Sequence, residues 1–144
     1  MPTWVNQGVD EYRKRIIGSV SFKVIEIPAI KRGKNPDLKR IADQEGKLLL
    51  AALPSNVLPI ALDRLGKEYD TEMLAVQLQT WVDDAQDVAF LVGGPEGLSD
   101  QCLAECRLRL KLSTFTFSHT IVRVILAEQL YRAFSVTRGL PYHR

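Results

Sequence analysis

Residues 88–99 read VAFLVGGPEGLS, and the reading of this stretch decides the fold. The unbroken apolar run from Val88 to Val92 fits a parallel strand buried on both faces. Gly93, Gly94 and Gly97 follow it, and glycine permits positive φ and close approach of the backbone to a ligand. Ser99 is a helix N-cap, opening a helix that runs to about Arg107. Strand, glycine turn and helix make the first half of a βα unit. In open parallel sheets ligands bind beyond the carboxyl ends of the strands, so the turn is a candidate binding element. Its spacing is G-G-x-x-G. This is neither the dinucleotide fingerprint nor a phosphate-cradling G-x-x-x-x-G-K-[ST], and a tight turn that needs glycine for geometry alone reads the spacing equally simply.

Working outward, the apolar period alternates between about 3.6 and 2, as βα units require. Residues 3–17 predict an amphipathic helix with Trp4, Val5, Val9, Tyr12 and Ile16 on one face. Residues 19–27 (SVSFKVIEI) alternate as a strand. Asn35-Pro36 reads as N-cap and first helical residue of a helix reaching about Leu53. Residues 57–63 (VLPIALD) predict a short strand whose start is poorly paired, because Pro59 has no N–H to donate. Asp70 or Thr71 caps a helix with Leu74, Leu78 and Trp81 on one face. Residues 108–113 predict another strand. A polar and aromatic loop, Thr114 to Ser118, then leads into a helix over about 119–138, closed by Gly139 at C′ and by Pro141. The pattern is an α/β domain with a mostly parallel sheet flanked by helices.

At 144 residues the chain is the size of one domain, with 46% hydrophobic and 25% charged residues. These values exclude a disordered tail, a fibre and a disulfide scaffold. No apolar run approaches a membrane span, so no membrane partner is expected. Met1-Pro2-Thr3-Trp4 lacks the regions of a secretory signal, and Cys102 and Cys106 are expected to stay reduced in the cytoplasm. Charge is unevenly placed. Lys31, Arg32, Lys34, Lys39 and Arg40 face only Asp37 within 31–40, a sum of +4. Residues 119–144 carry Arg123, Arg132, Arg138 and Arg144 against Glu128, a sum of +3, leaving −5 elsewhere in a chain of net charge +2. Two basic segments on an acidic body suggest a polyanionic partner, or else a solvated helix entry and a helix C-terminus complementing its dipole.

Cys102 and Cys106 lie one helical turn apart, but no matching ligand spacing exists for zinc, and buried free thiols are the reading preferred. His119 opens a helix and reads as a structural residue there. Ser-His-Asp hydrolysis has no nucleophile elbow behind it. The terminus, Gly139-Leu140-Pro141-Tyr142-His143-Arg144, is either a frayed tail or an RNA-facing one. In the second reading Tyr142 stacks on a base while His143 and Arg144 meet phosphate or base edges. Arg132, within the apolar run VILAEQLYRAF, points to an inward-facing guanidinium or a snorkelling one.

Taken together, IEIPA and KRGKN (25–29, 31–35), ALD (61–63), LVGGPEGLS (91–99), FSH (117–119), VRVILAEQLYRAF (122–134) and PYHR (141–144) resemble the RlmH family. These are small bacterial SPOUT methyltransferases of large-subunit ribosomal RNA, and the matching segments span nearly the whole chain in order. The resemblance implies a single SPOUT domain over 1–144 with a C-terminal trefoil knot, a rare exception to unknotted topology. It implies a homodimer that uses S-adenosylmethionine to methylate N3 of a pseudouridine in 23S ribosomal RNA within the assembled ribosome. Carried onto this chain, the cofactor pocket is Leu62, Gly93, Leu112, Ser113, Thr114, Phe115, Thr116 and Phe117. The catalytic side falls to His143, Arg132, Tyr142 and Arg144, with Arg123, His119 and Arg144 binding substrate and no metal. Of the two histidines, His143 is preferred as proton acceptor. Family members begin with a strand ahead of the segment that starts this chain, and the expectation is that this strand is missing here. The alternatives are a non-catalytic ribosome- or RNA-binding module, for which the basic segments would suffice, and an α/β nucleotide-binding enzyme of another class, against which the absent phosphate loops argue.

Overall fold

Three helices are opened by the side chains that local chemistry calls for. Asp70 accepts from the Met73 N–H at 2.8 Å and starts helix α3 (Thr71–Asp83). Ser99 accepts from the Cys102 N–H at 3.2 Å and starts α4 (Asp100–Glu105). Asp37, rather than Asn35, accepts from the Arg40 N–H at 3.1 Å and starts α2 (Leu38–Ala52). Asparagine and aspartate cap equally well, and here the carboxylate adjoining the first helical turn takes the role. The structure is a computed structural model and describes residues 1–143; Arg144 lies outside the described residues. The remaining elements are α1 (Thr3–Arg13), β1 (Val57–Glu68), β2 (Asp87–Leu91), β3 (Leu108–Lys111) and α5 (His119–Thr137). At the end of α5, Gly139 has φ +66°, with Gly139 N–H to Val136 O at 3.2 Å and Leu140 N–H to Ser135 O at 2.9 Å. This pair of bonds is a Schellman cap.

The chain forms two compact units. One is helical and comprises Met1–Val24, Tyr69–Gln86 and the residues from Thr120 on. In it α1 lays Val5 and Val9 on Ala127, while Leu74 and Ala75 of α3 pack on Ala133. Helix α5 is therefore apolar on more than one face, as expected of a helix with neighbours on several sides. Ile16, Tyr131 and Phe134 form a third cluster, against which Val20, Phe22 and Tyr142 lie. The alternation over 19–27 thus has a different meaning from the one expected. No strand forms there. Val20 and Phe22 turn onto helices, and Val24 and Ile25 are exposed. A period of two reports a segment with one buried face, and that face need not belong to a sheet. Trp4 is also not on the buried face; it is 52% exposed beside the fully buried Val5.

The other unit, Ile25–Glu68 and Asp87–His119, holds the sheet. Its order is β2-β1-β3 and every pairing is parallel. Val57–Ala61 pair with Asp87–Leu91, and Ile60–Leu62 pair with Leu108–Leu110. Ile60 and Ala61, in the central strand, are fully buried. Pro59 is tolerated in this strand because its carbonyl, which accepts from Arg107 N–H at 3.1 Å, faces the β3 side. The missing donor faces that side too, where the ladder begins only at Ile60. The run Val88–Val92 lies on an outer strand of this sheet and is mostly half-buried, with only Leu91 fully buried, rather than enclosed on both faces. Burial pushes the thiols of both cysteines up, Cys106 to about 11, which leaves them inert at neutral pH.

Helices α2 and α4 meet at Gly46. The Cys102 thiol donates to the Gly46 carbonyl at 3.3 Å, and a Cβ on Gly46 would collide with Ser99 Oγ and sit 3.1 Å from Cys102 Sγ. Ser99 Oγ is itself the cap of α4, so it has little freedom to move. Gly46→Ala is expected to destabilise the protein by about 1–3 kcal/mol through overpacking. Urea unfolding measures this, and an unchanged midpoint would contradict the packing described.

Candidate active site

Because the three strands are parallel, their carboxyl ends lie on one side of the sheet, and the loops leaving them converge there. Leu62 is the last residue of β1 before its pairing with β3 is interrupted, resuming at Lys67. Irregularities of this kind recur beside active sites, where they re-aim side chains. Gly93 follows β2. Residues Leu112 to Phe117 follow β3 without regular structure. Phe115 is 80% exposed and Phe117 38% exposed. The Phe115 N–H is held by Ser113 Oγ at 3.0 Å. The strand expected over 57–63 continues to Glu68, so Leu62 lies within β1. It pairs with Leu110, however, and its neighbour Ala61 pairs with Leu91, so the residues expected to hold the cofactor stand at one level of one sheet. Two aromatic rings stand uncovered among them, which suits a ligand with a flat heterocycle.

The glycine turn is a β-turn with Pro95 at its second position, closed by Gly97 N–H to Gly94 O at 2.9 Å. Gly97 has φ +76°. A Cβ on Gly93 would stand 2.5 Å from Gly97 C and 2.8 Å from Leu98 N. Gly93 is thus required by the turn folding back over it. Its glycine character answers the geometric reading of the spacing, whatever else the backbone there binds.

A side-chain network beside this turn carries no signature in the sequence. Arg32 donates from Nε to Glu96 Oε1 at 3.2 Å and from Nη2 to Glu96 Oε2. It also reaches the Ile30 carbonyl at 3.1 Å and Glu45 Oε1 at 3.5 Å. Glu45 accepts from the Ile30 N–H at 3.1 Å. The Arg32 guanidinium, with a smaller contribution from His119, holds the Glu96 carboxyl below its ordinary range. Arg32 and Glu96 are 64 residues apart, so no local pattern announces them. Within the basic segment, Arg32 is spent internally, whereas Lys39 pairs with Asp43 at the surface at 3.1 Å.

The expected substrate side divides between the units. His119 is the first residue of α5 and belongs to the sheet unit; Arg123, Arg132, Tyr142 and His143 belong to the helical one. Arg132 bonds to Glu128 through Nε at 2.7 Å and lies 4.8 Å from the Tyr142 ring centroid. Tyr142 packs edge-on to Tyr131 at 4.7 Å. Burial raises the Tyr142 hydroxyl pKa, with a further rise from its hydrogen bond with Tyr12. His143 Nε2 meets Glu72 Oε1 at 3.0 Å, and this hydrogen bond lowers the Glu72 carboxyl. The tail as far as His143 is packed rather than frayed. Arg123 is half-buried on α5, roughly 13 Å of helix rise before Arg132. The catalytic role expected of Arg144 falls outside the described residues. Sequence reasoning missed Glu72, Glu45, Glu96 and Glu128. Only Glu128 was accessible to it, through its i,i+4 spacing to Arg132. An open groove of about 390 Å³ lies elsewhere in the helical unit, lined by Tyr69, Asp70, Glu72, Met73, Val76 and Gln77.

The chain matches, over residues 1–143, the family described as "Predicted SPOUT methyltransferase". It is 51% identical over 144 residues to the Ribosomal RNA large subunit methyltransferase H of Thioalkalivibrio sulfidiphilus (strain HL-EbGR7), covering all of this chain and 92% of that protein.

The lowered Glu96 carboxyl gives a pH signature. A depressed folded pKa contributes stability that is complete above the unfolded value, about 4.3, and is lost as pH falls through the folded value. Glu96→Gln is therefore expected to destabilise the protein near neutral pH and progressively less below about pH 4.3. Urea unfolding across a pH series checks this; a difference that stays constant into strong acid would contradict it.

Proposed function

The chain belongs to the SPOUT methyltransferase family, and from that premise we propose that it methylates N3 of a pseudouridine in large-subunit ribosomal RNA, within the assembled ribosome, using S-adenosylmethionine. The observation that carries this reading is the placing of Leu62, the Gly93–Gly97 turn and the Leu112–Phe117 loop at one level of the parallel sheet, where β2 and β3 end and the pairing of β1 is interrupted. Its identity to a protein named for large-subunit ribosomal RNA methylation supports the choice of substrate. In this reading the chain works in the cytoplasm as a homodimer, with the trefoil knot of its family. Among the described residues no helix is long and apolar enough to cross a membrane.

Leu62, Gly93, Leu112, Ser113, Thr114, Phe115, Thr116 and Phe117 are the residues proposed to hold the donor. Main-chain groups of the loop bind its polar edges, and the uncovered aromatic rings cover the adenine. When bound, the donor supplies an activated methyl group on a sulfonium, so the protein's task is chiefly alignment and management of one proton. N3 of pseudouridine is weakly acidic. Arg132, kept charged by Glu128, favours the deprotonated ring through its field, and Arg144 is assigned the same role. Tyr142, fixed against Tyr131 and Arg132, offers an aromatic face or edge to the base. His143 takes the N3 proton. With Nε2 facing Glu72, a neutral ring keeps its proton there and its lone pair on Nδ1. Nδ1 is shielded from solvent and lacks a hydrogen-bond partner among the described residues, so substrate entry must uncover it. Arg123 and His119 are assigned to RNA contact.

Isothermal titration of S-adenosylmethionine into the full chain, paired with transfer of labelled methyl to ribosomes from a strain lacking the modification, tests the proposal. Saturable binding and incorporation are expected. Well-folded protein that binds no S-adenosylmethionine would end it. Arg132→Ala is expected to lower kcat/KM on the order of 10²-fold or more while leaving donor affinity unchanged. Normal turnover by that variant would remove Arg132 from the site.

A further inference from the structure

We infer that Arg32, gripping Glu96 and backed by Glu45, is a positioning clamp that preorganises the Gly94–Gly97 turn for the methyl donor; this rests on the donor binding proposed above. Four observations carry it. First, the turn is intrinsically loose: it carries glycine at both ends, and Gly97 sits at positive φ. Glycine loses the most conformational freedom on ordering, so such a turn costs most to fix at the moment of binding. Second, Glu96 is the only side chain of the turn that can anchor it, since the other positions are Gly94, Pro95 and Gly97. Its carboxylate meets the guanidinium with both oxygens. That fork-on-fork geometry fixes direction as well as distance.

Third, the anchor is itself held. Arg32 donates to the Ile30 carbonyl at 3.1 Å, and the Ile30 N–H donates to Glu45 Oε2 at 3.1 Å. Glu45 comes from α2, and a Cβ on Gly94 would stand 3.2 Å from Glu45 Oε1, so the turn lies directly against that carboxylate. Fourth, the Arg32, Glu45 and Glu96 side chains are only 26%, 12% and 16% exposed. The pair is thus less screened than a surface salt bridge, whose net value is small. Arg32 stands within Lys31-Arg32-Gly33-Lys34, where an RNA-binding role would be the first assumption. One guanidinium between two carboxylates leaves a local charge of −1, which does not invite phosphate. The clamp instead ties the Lys31–Lys34 segment to the loop next to the donor.

A preorganised loop raises affinity by removing an ordering cost. Lysine at 32 keeps the charge and loses the fork. Isothermal titration of S-adenosylmethionine into full-length wild type, Arg32→Lys, Glu96→Gln and the double variant reads this, with a thermal melt of each. Each single variant is expected to bind about tenfold more weakly while still melting cooperatively. The double variant is expected to lose no more than the weaker single one, because both substitutions break one interaction. Amide hydrogen exchange at Glu96 and Gly97 in donor-free protein is expected to quicken in Arg32→Lys. Folded single variants with wild-type affinity, losses that simply add, or unchanged exchange would each overturn the clamp. Wild-type protein that fails to bind S-adenosylmethionine would overturn the functional reading and the clamp with it.

Discussion

Parallel pairing is the constraint on which the site depends. A parallel neighbour can be reached only by a crossover that returns the chain to the same starting edge. Every strand of the β2-β1-β3 sheet therefore ends on the same side. Loops distant in sequence, after Leu91 and Lys111, are delivered together at the level where the pairing of β1 is interrupted beyond Leu62, without any contact between them being needed first. The sheet itself is small, and its rigidity comes from the buried pair Ile60 and Ala61 in β1 and from α4, seated through Cys102 and Ser99 on Gly46 of α2. What the loops present is then a matter of local chemistry: glycine where backbones cross, uncovered phenylalanines where a flat ring is to lie.

Electrostatics in this chain work by assignment more than by accumulation. Arginines of the two basic segments have defined partners, among them Arg32 on Glu96 and Glu45, Arg132 on Glu128, and Arg138 on Ser19 and over the Phe134 ring. Arg132 is held by a carboxylate one turn back on its own helix, beside the Tyr142 ring. Such pairing keeps a guanidinium charged and aimed, and reduces the entropy lost when an anionic ring arrives. Arg32 shows the opposite use of the same side chain, with its charge consumed in holding a loop. Counting basic residues along a segment cannot distinguish these uses. The position of the opposing carboxylate decides.

Local signals were legible in the sequence and distant ones were not. Asp70 and Ser99 act as caps where their side-chain chemistry places them, and Gly139 closes α5 at the expected C′ position. Each of these depends on a few neighbouring residues. The alternation of 19–27 misled because it encodes a buried face without specifying what covers it; Phe22 found helices. The apolar run of β2 misled because hydrophobicity alone does not say whether a strand is central or outer. The loops that hold the proposed donor site were found through the rule for parallel sheets and through family resemblance. The resemblance also named Tyr142, His143 and Arg132. Glu72, Glu45 and Glu96 escaped notice because a carboxylate becomes informative only when its cation is known, and theirs lie far away along the chain.

The central claim is that a methyl donor is cradled by Leu62, where β1 is interrupted, and by the loops leaving the carboxyl ends of β2 and β3. Amide NMR of the full chain during titration with S-adenosylmethionine tests it most directly, since each loop reports through its own backbone. The account predicts that the largest shifts fall on Gly93, Gly97 and the amides from Leu112 to Phe117. Shifts concentrated instead along the groove from Tyr69 to Gln77, with those loops unmoved, would contradict it.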